Sequence, residues 1–91
     1  MEWDKFTEYI THYNNDRINE AHIVILDNME TLSSQDVEAI LSSETVIDCE
    51  YIEKNKDFFT QFIQKAESLS KDDWKMSTAL RFELLKTHFP K

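Results

Sequence analysis

The chain has no glycine among its 91 residues and a single proline, Pro90, next to its last residue. Tight β-hairpins need positive φ in the turn, where glycine is the usual residue, so this absence argues for a helical fold. It also removes whole chemistries. Phosphate-cradling loops, dinucleotide-binding turns, EF-hand loops and the G-x-S-x-G elbow all rely on glycine for a sharp turn or a close backbone approach.

Cysteine is nearly absent too. Cys49 stands alone, so no disulfide frame exists and the sequence fits a reducing compartment. Its neighbours Asp48 and Glu50 oppose thiolate formation, and the expectation is a buried or inert cysteine rather than a nucleophile. Long apolar runs are missing. The longest, Ile23-Val24-Ile25-Leu26, is far short of the roughly 20 residues of a membrane helix. Met1 to Lys5 does not read as a secretory signal. A cytoplasmic protein without membrane association is expected, or one resident in a host cytoplasm if a phage or mobile element encodes it.

Metal-ligand spacing is likewise absent. None of His12, His22 and His88 follows a Glu by three residues, and no H-E-x-x-H occurs. Glu8 and His12, at i,i+4, read as a surface pair. No catalytic residue, metal or cofactor is expected, and the chain reads as a non-enzyme.

The last absence is one sign of charge. From Ile18 to Glu53 there is no Lys or Arg, but there are nine carboxylates: Glu20, Asp27, Glu30, Asp36, Glu38, Glu44, Asp48, Glu50 and Glu53. The formal charge of −8 is divided as −10 over residues 1–57 and +2 over residues 58–91. Ordinary helices interleave both signs for i,i+4 pairing, and accumulated like charge opposes compaction. Basic side chains are too dispersed, from Lys65 to Lys86 among four acids, for direct nucleic-acid binding.

What is present is helical periodicity. Trp3, Phe6, Ile10 and Tyr13 form one stripe, ended by Asn14-Asn15-Asp16. Trp3 and Tyr9 are the aromatics expected to be freest as surface anchors. Ile18, Ala21, Ile25, Met29 and Leu32 share a face if 17–31 is helical. Residues 21–26 would also suit a short β-strand, but no partner strand is visible and helix is preferred. Ser33 and Asp36 have capping-box spacing ahead of Val37, Ile40 and Leu41. Glu44 to Leu69 stays periodic, with Val46, Ile47, Tyr51 and Ile52 in a first apolar patch. Phe58, Phe59, Phe62, Ile63, Ala66 and Leu69 form a second. A break near Asn55 and a cap at Ser43 or Thr45 are expected. Ser70-Lys71-Asp72-Asp73 repeats the capping signature. It is expected to open a last helix whose wide apolar arc (Trp74, Met76, Ala79, Leu80, Phe82, Leu84, Leu85) packs on two neighbours and ends at Phe89-Pro90. The expected fold is all-α, a compact bundle of four to five short helices in one domain spanning residues 1–91.

The function expected from charge and size is a small protein-binding module that docks on a basic surface of a partner. Immunity proteins to nuclease toxins, antitoxins and phage-encoded inhibitors of nucleic-acid enzymes are the class meant, by analogy alone. The expected partner-binding residues are Asp27, Glu30, Asp36, Glu38, Glu44, Asp48, Glu50 and Glu53. Reversing Asp36, Glu38 and Glu44 to Lys is expected to weaken capture without harming the fold. An ordinary solvated surface explains the charge equally well. The alternative function is a non-catalytic structural or regulatory subunit that self-associates through an apolar helix face (Trp74, Met76, Phe82, Leu85, Phe89).

Overall fold

A computed structural model of the chain describes residues 1–46 and 48–89. Ile47 and Pro90, to which the sequence assigns an apolar patch and a helix end, lie outside the described residues. The protein is all-α. Six helices are formed among the described residues: α1 (Trp3–Asn14), α2 (Ile18–Asp27), α3 (Ser34–Ser43), α4 (Cys49–Lys54), α5 (Lys56–Glu67) and α6 (Met76–Lys86). A 3₁₀ turn, Met29–Thr31, follows α2. This is the bundle of short helices expected, with one more than the four to five foreseen, and the periodic run after Glu44 is divided at Asn55, where the sequence places a break. The helices fall into two compact units, Met1–Leu32 and Ser33–Lys91.

In the first unit α1 and α2 pack as a helical hairpin. The connection replaces the missing glycine with an aspartate. Asp16 has φ 60°, its N–H donates to the Tyr13 carbonyl, and the Arg17 N–H donates to the His12 carbonyl at 2.9 Å. These are the two bonds of a Schellman motif, normally closed by glycine. Asp and Asn tolerate left-handed backbone better than other residues with a Cβ, at some strain. Asp16→Gly should therefore raise stability by about 0.5–1 kcal/mol, and Asp16→Val should lower it by about 1–2 kcal/mol. Urea midpoints of the two variants check this.

Residues 21–26 are helical, and Ala21, His22, Val24 and Ile25 are buried. Along α1 the deepest side chain is Tyr9, in ring contact with Phe6 and Tyr13 at 5.9 Å each. Tyr9 is thus no surface anchor. Its place at i+3 from Phe6 and i−4 from Tyr13 puts it at the centre of the stripe. Trp3 remains 80% exposed, stacked on Phe6.

The second unit opens with the expected capping box. The Asp36 N–H donates to Ser33 Oγ, and the Ser33 N–H donates to Asp36 Oδ2. Residues 44–46 are not helical, and Ser43 is the last residue of α3. The cap of α4 is instead Asp48, which accepts from the Glu50 and Tyr51 N–H groups. At Asn55 the side chain donates back to the Tyr51 carbonyl, closing α4 where α5 begins. The core of this unit is aromatic: Phe58, Phe59 and Phe62 of α5 are buried together with Val37, Ile40 and Leu41 of α3 and Phe82 and Leu85 of α6.

The last helix departs most from expectation. It starts at Met76, not after Ser70, whose hydroxyl only accepts a long bond from the Asp72 N–H. Nor does a wide arc pack inward. Thr78, Phe82 and Leu85 are its buried residues, whereas Met76, Leu80 and Leu84 are exposed. Lys71 accounts for part of the shift: its ammonium donates to the Ala66 and Leu69 carbonyls and finishes α5, so this stretch ends one helix before the next can start. Lys86 then ties α6 to α5, bonded to Glu83 at 3.1 Å and Glu67 at 3.2 Å. The Glu83 hydrogen bond, helped by Glu67, holds the Lys86 ammonium above the usual lysine range against the opposing effect of burial.

Candidate functional site

The structure sorts the expected docking carboxylates by what each oxygen already does. Glu44 is 1% exposed, and its Oε1 accepts from the Tyr51 hydroxyl at 2.7 Å. A buried, hydrogen-bonded carboxylate cannot meet a partner, so Glu44 leaves the docking surface. Sequence pattern places acids outside by default and cannot see a tyrosine that arrives from the next helix. Glu38 is half-buried and spans from α3 to α6, its Oε2 accepting from the Lys75 N–H at 2.9 Å. Lys75 is the N-cap of α6. Glu38 thus does from another helix what an N3 carboxylate does in a capping box. Asp36 and Asp48 hold the caps of α3 and α4.

Four of the eight residues therefore support the fold, and Asp36, Glu38 and Glu44 are the wrong three to reverse in a binding test. Lysine at those positions would break a cap, a bridge and a buried bond.

The remaining residues divide between the units. On α4, Glu50 and Glu53 are exposed and make no side-chain hydrogen bond or ion pair with a described residue. Cys49, expected to be buried or inert, is exposed beside them as the first residue of α4 after the Asp48 cap.

In the first unit, Glu30 is exposed in the 3₁₀ turn and has a partner of its own. Glu20 and Asp27 lie on α2 with Ile23 between them, at i, i+3 and i+7 on one helix face. Both carboxylates are exposed and neither pairs with a described residue. Ile23 is 53% exposed.

These three side chains line a groove of about 270 Å³ with Lys5, Glu8 and His12 of α1. On the α1 side Lys5 pairs with Glu8 at 3.6 Å, and His12 Nδ1 accepts from the Arg17 Nε–H at 3.0 Å. The expected Glu8–His12 pair is thus replaced by one partner each. What remains for an incoming group is an apolar side chain flanked by two unpaired anions. That arrangement suits the ammonium or guanidinium of a partner, whose methylene stem can lie on Ile23.

The sequence reading missed Glu20 and Ile23. Their signal was the i, i+3, i+7 spacing with Asp27, which becomes legible once α2 is taken as helix and the buried residues Ala21, Val24 and Ile25 fix its inner face. Among the described residues no group of three or more His, Cys, Asp or Glu side chains is placed to hold a metal ion, and no helix is long and apolar enough to cross a membrane. No protein-family model matches the chain, and neither a curated protein nor a solved structure shows significant similarity to it.

Proposed function

We propose that the protein is a non-catalytic binding module that docks on a basic surface of another protein through the outer face of α2. The observation that carries this reading is the pair of unpaired carboxylates, Glu20 and Asp27, on either side of the exposed Ile23. An apolar anchor within a polar rim is the usual anatomy of a small interface. The unit that carries this face is itself acidic, with seven Asp and Glu against two Lys and Arg in residues 1–32. The field of such a unit speeds encounter with a cationic partner and fades as salt rises. Enzymes that process nucleic acids must display basic surfaces to neutralise phosphates, so an inhibitor, immunity protein or antitoxin directed at one is the class of role that fits.

The test is capture of host proteins on the immobilised chain, with salt raised in steps. A specific partner should be lost between about 0.1 and 0.5 M salt, as exposed pairs become screened. The double variant Glu20→Lys/Asp27→Lys should reduce its capture more than tenfold, and Ile23→Ala should reduce it at all salt concentrations. All three side chains are exposed, so the circular dichroism spectrum should not change. A partner retained unchanged by the double variant and at high salt would refute the proposal.

A further inference from the structure

The second unit carries a surface of its own on α6. Seven residues of α6 and its end share one outward face and all are exposed: Met76, Ser77, Ala79, Leu80, Glu83, Leu84 and Thr87. Its apolar stripe, Met76, Leu80 and Leu84, repeats at i,i+4,i+8, and the three side chains are 80%, 58% and 49% exposed. In a chain that is 31% charged, the one ionic group on this face is Glu83, and Lys86 balances it at 3.1 Å. The face is therefore nearly uncharged, within a segment (58–91) that is net +2 against −10 for the rest.

We propose that this face pairs with the same face of a second copy, antiparallel about a two-fold axis at Leu80. The reason lies in its symmetry. Reflected about Leu80, Met76 meets Leu84 of the other copy, and Leu84 meets Met76. Ser77 meets Glu83, so a hydroxyl donor faces a carboxylate acceptor on both sides. Ser77 makes no side-chain hydrogen bond with a described residue and is available to donate.

A two-fold interface demands this kind of self-complementarity, with residue i against j and j against i. Antiparallel helix dipoles add a favourable term. Charge favours a second copy here over other surfaces of the chain, because two chains of −8 repel least where their local charge is lowest. Small residues at Ser77 and Ala79 let the helices approach to the usual 8–10 Å.

Three apolar side chains fall short of the roughly 800 Å² per partner of a standard interface, so the dimer exchanges fast, with a dissociation constant between about 10 μM and 1 mM. This inference is independent of the α2 docking face and survives its failure.

Sedimentation velocity of the full chain from about 10 μM to 1 mM tests it. The expected result is a weight-average mass that rises from 10.9 kDa toward twice that value. Leu80→Lys, which places two cations on the axis, should hold the chain at monomer mass, and Met76→Lys should do the same from the edge of the stripe. Both sites are exposed, so helicity should be retained in both.

Register has its own readout. In a Cys49→Ser background, Leu80→Cys should be cross-linked to its own copy by a short bismaleimide, and Ser68→Cys should not. A strict monomer at 1 mM would overturn the proposal and leave the face to a partner of another kind. Dimerisation unaffected by Leu80→Lys, or equal cross-linking at residues 68 and 80, would overturn it as well.

Discussion

Phe62→Ala is expected to lower stability by about 3–5 kcal/mol and the melting temperature by about 15–30 °C. Phe62 is fully buried, and its ring stacks on Phe58 at 5.7 Å with a 16° interplanar angle. Phe58 in turn meets Phe59 edge-on at 5.1 Å, and Phe59 meets Tyr51 at 6.0 Å. Truncation removes the transfer free energy of a benzyl group and leaves a void that rigid neighbours fill poorly. A chain of 91 residues has about 5–14 kcal/mol in total, so the loss is a large fraction of it.

The control is Met76→Ala. Methionine is also large and apolar, but Met76 is 80% exposed, and the change should stay within about 0.5 kcal/mol. Urea denaturation of the two variants against the parent decides the matter. A loss below about 1.5 kcal/mol at Phe62 would mean that the aromatic cluster is not the centre of this unit's core.

The same contrast shows what the sequence could and could not reveal. Phe58, Phe59, Phe62 and Ala66 follow helical spacing within one helix, so their burial was legible from residue order alone. The Ser33–Asp36 box and the Asn55 break were legible for the same reason, since each acts on its own backbone neighbours. The misses around α6 involve partners far away in the chain. The start of α6 depends on Glu38, 37 residues earlier, and Trp74 turns toward α3 to donate its indole N–H to the Ser34 carbonyl. Glu44 is a buried acid that the Tyr51 hydroxyl satisfies, a pairing across a helix boundary that periodicity does not show. Of the proposed site the sequence named Asp27 but not Glu20 or Ile23, because an absence of cations marks a segment and not a helix face within it. Only the helix face of α2 separated residues free to meet a partner from those occupied by caps and bridges.

The Arg81 guanidinium is the second place where a large loss is expected, and no pattern in the sequence marks it. Arg81 Nε donates to the Leu41 carbonyl at 3.0 Å and Nη2 donates to the Glu44 carbonyl at 2.6 Å. Both acceptors lie at the C-terminal end of α3, where helix carbonyls lack partners and the dipole favours a cation. Arg81 thus closes one helix and fixes α6 against it. Hydrogen bonds to a charged donor contribute about 1.5–3 kcal/mol each when sheltered, and Arg81 is half-buried. Arg81→Ala should therefore lower stability by about 2–4 kcal/mol. Arg81→Lys should recover less than half of that, because a single ammonium cannot reproduce the fork that reaches two carbonyls. If lysine restored full stability, the positive charge at the end of α3 would suffice and the two-pronged geometry would not matter. If alanine were as stable as arginine, α6 would be held by Phe82 and Leu85 alone. Hydrogen exchange at the α6 amides separates these outcomes, since loss of the clamp should release protection there before the aromatic core opens.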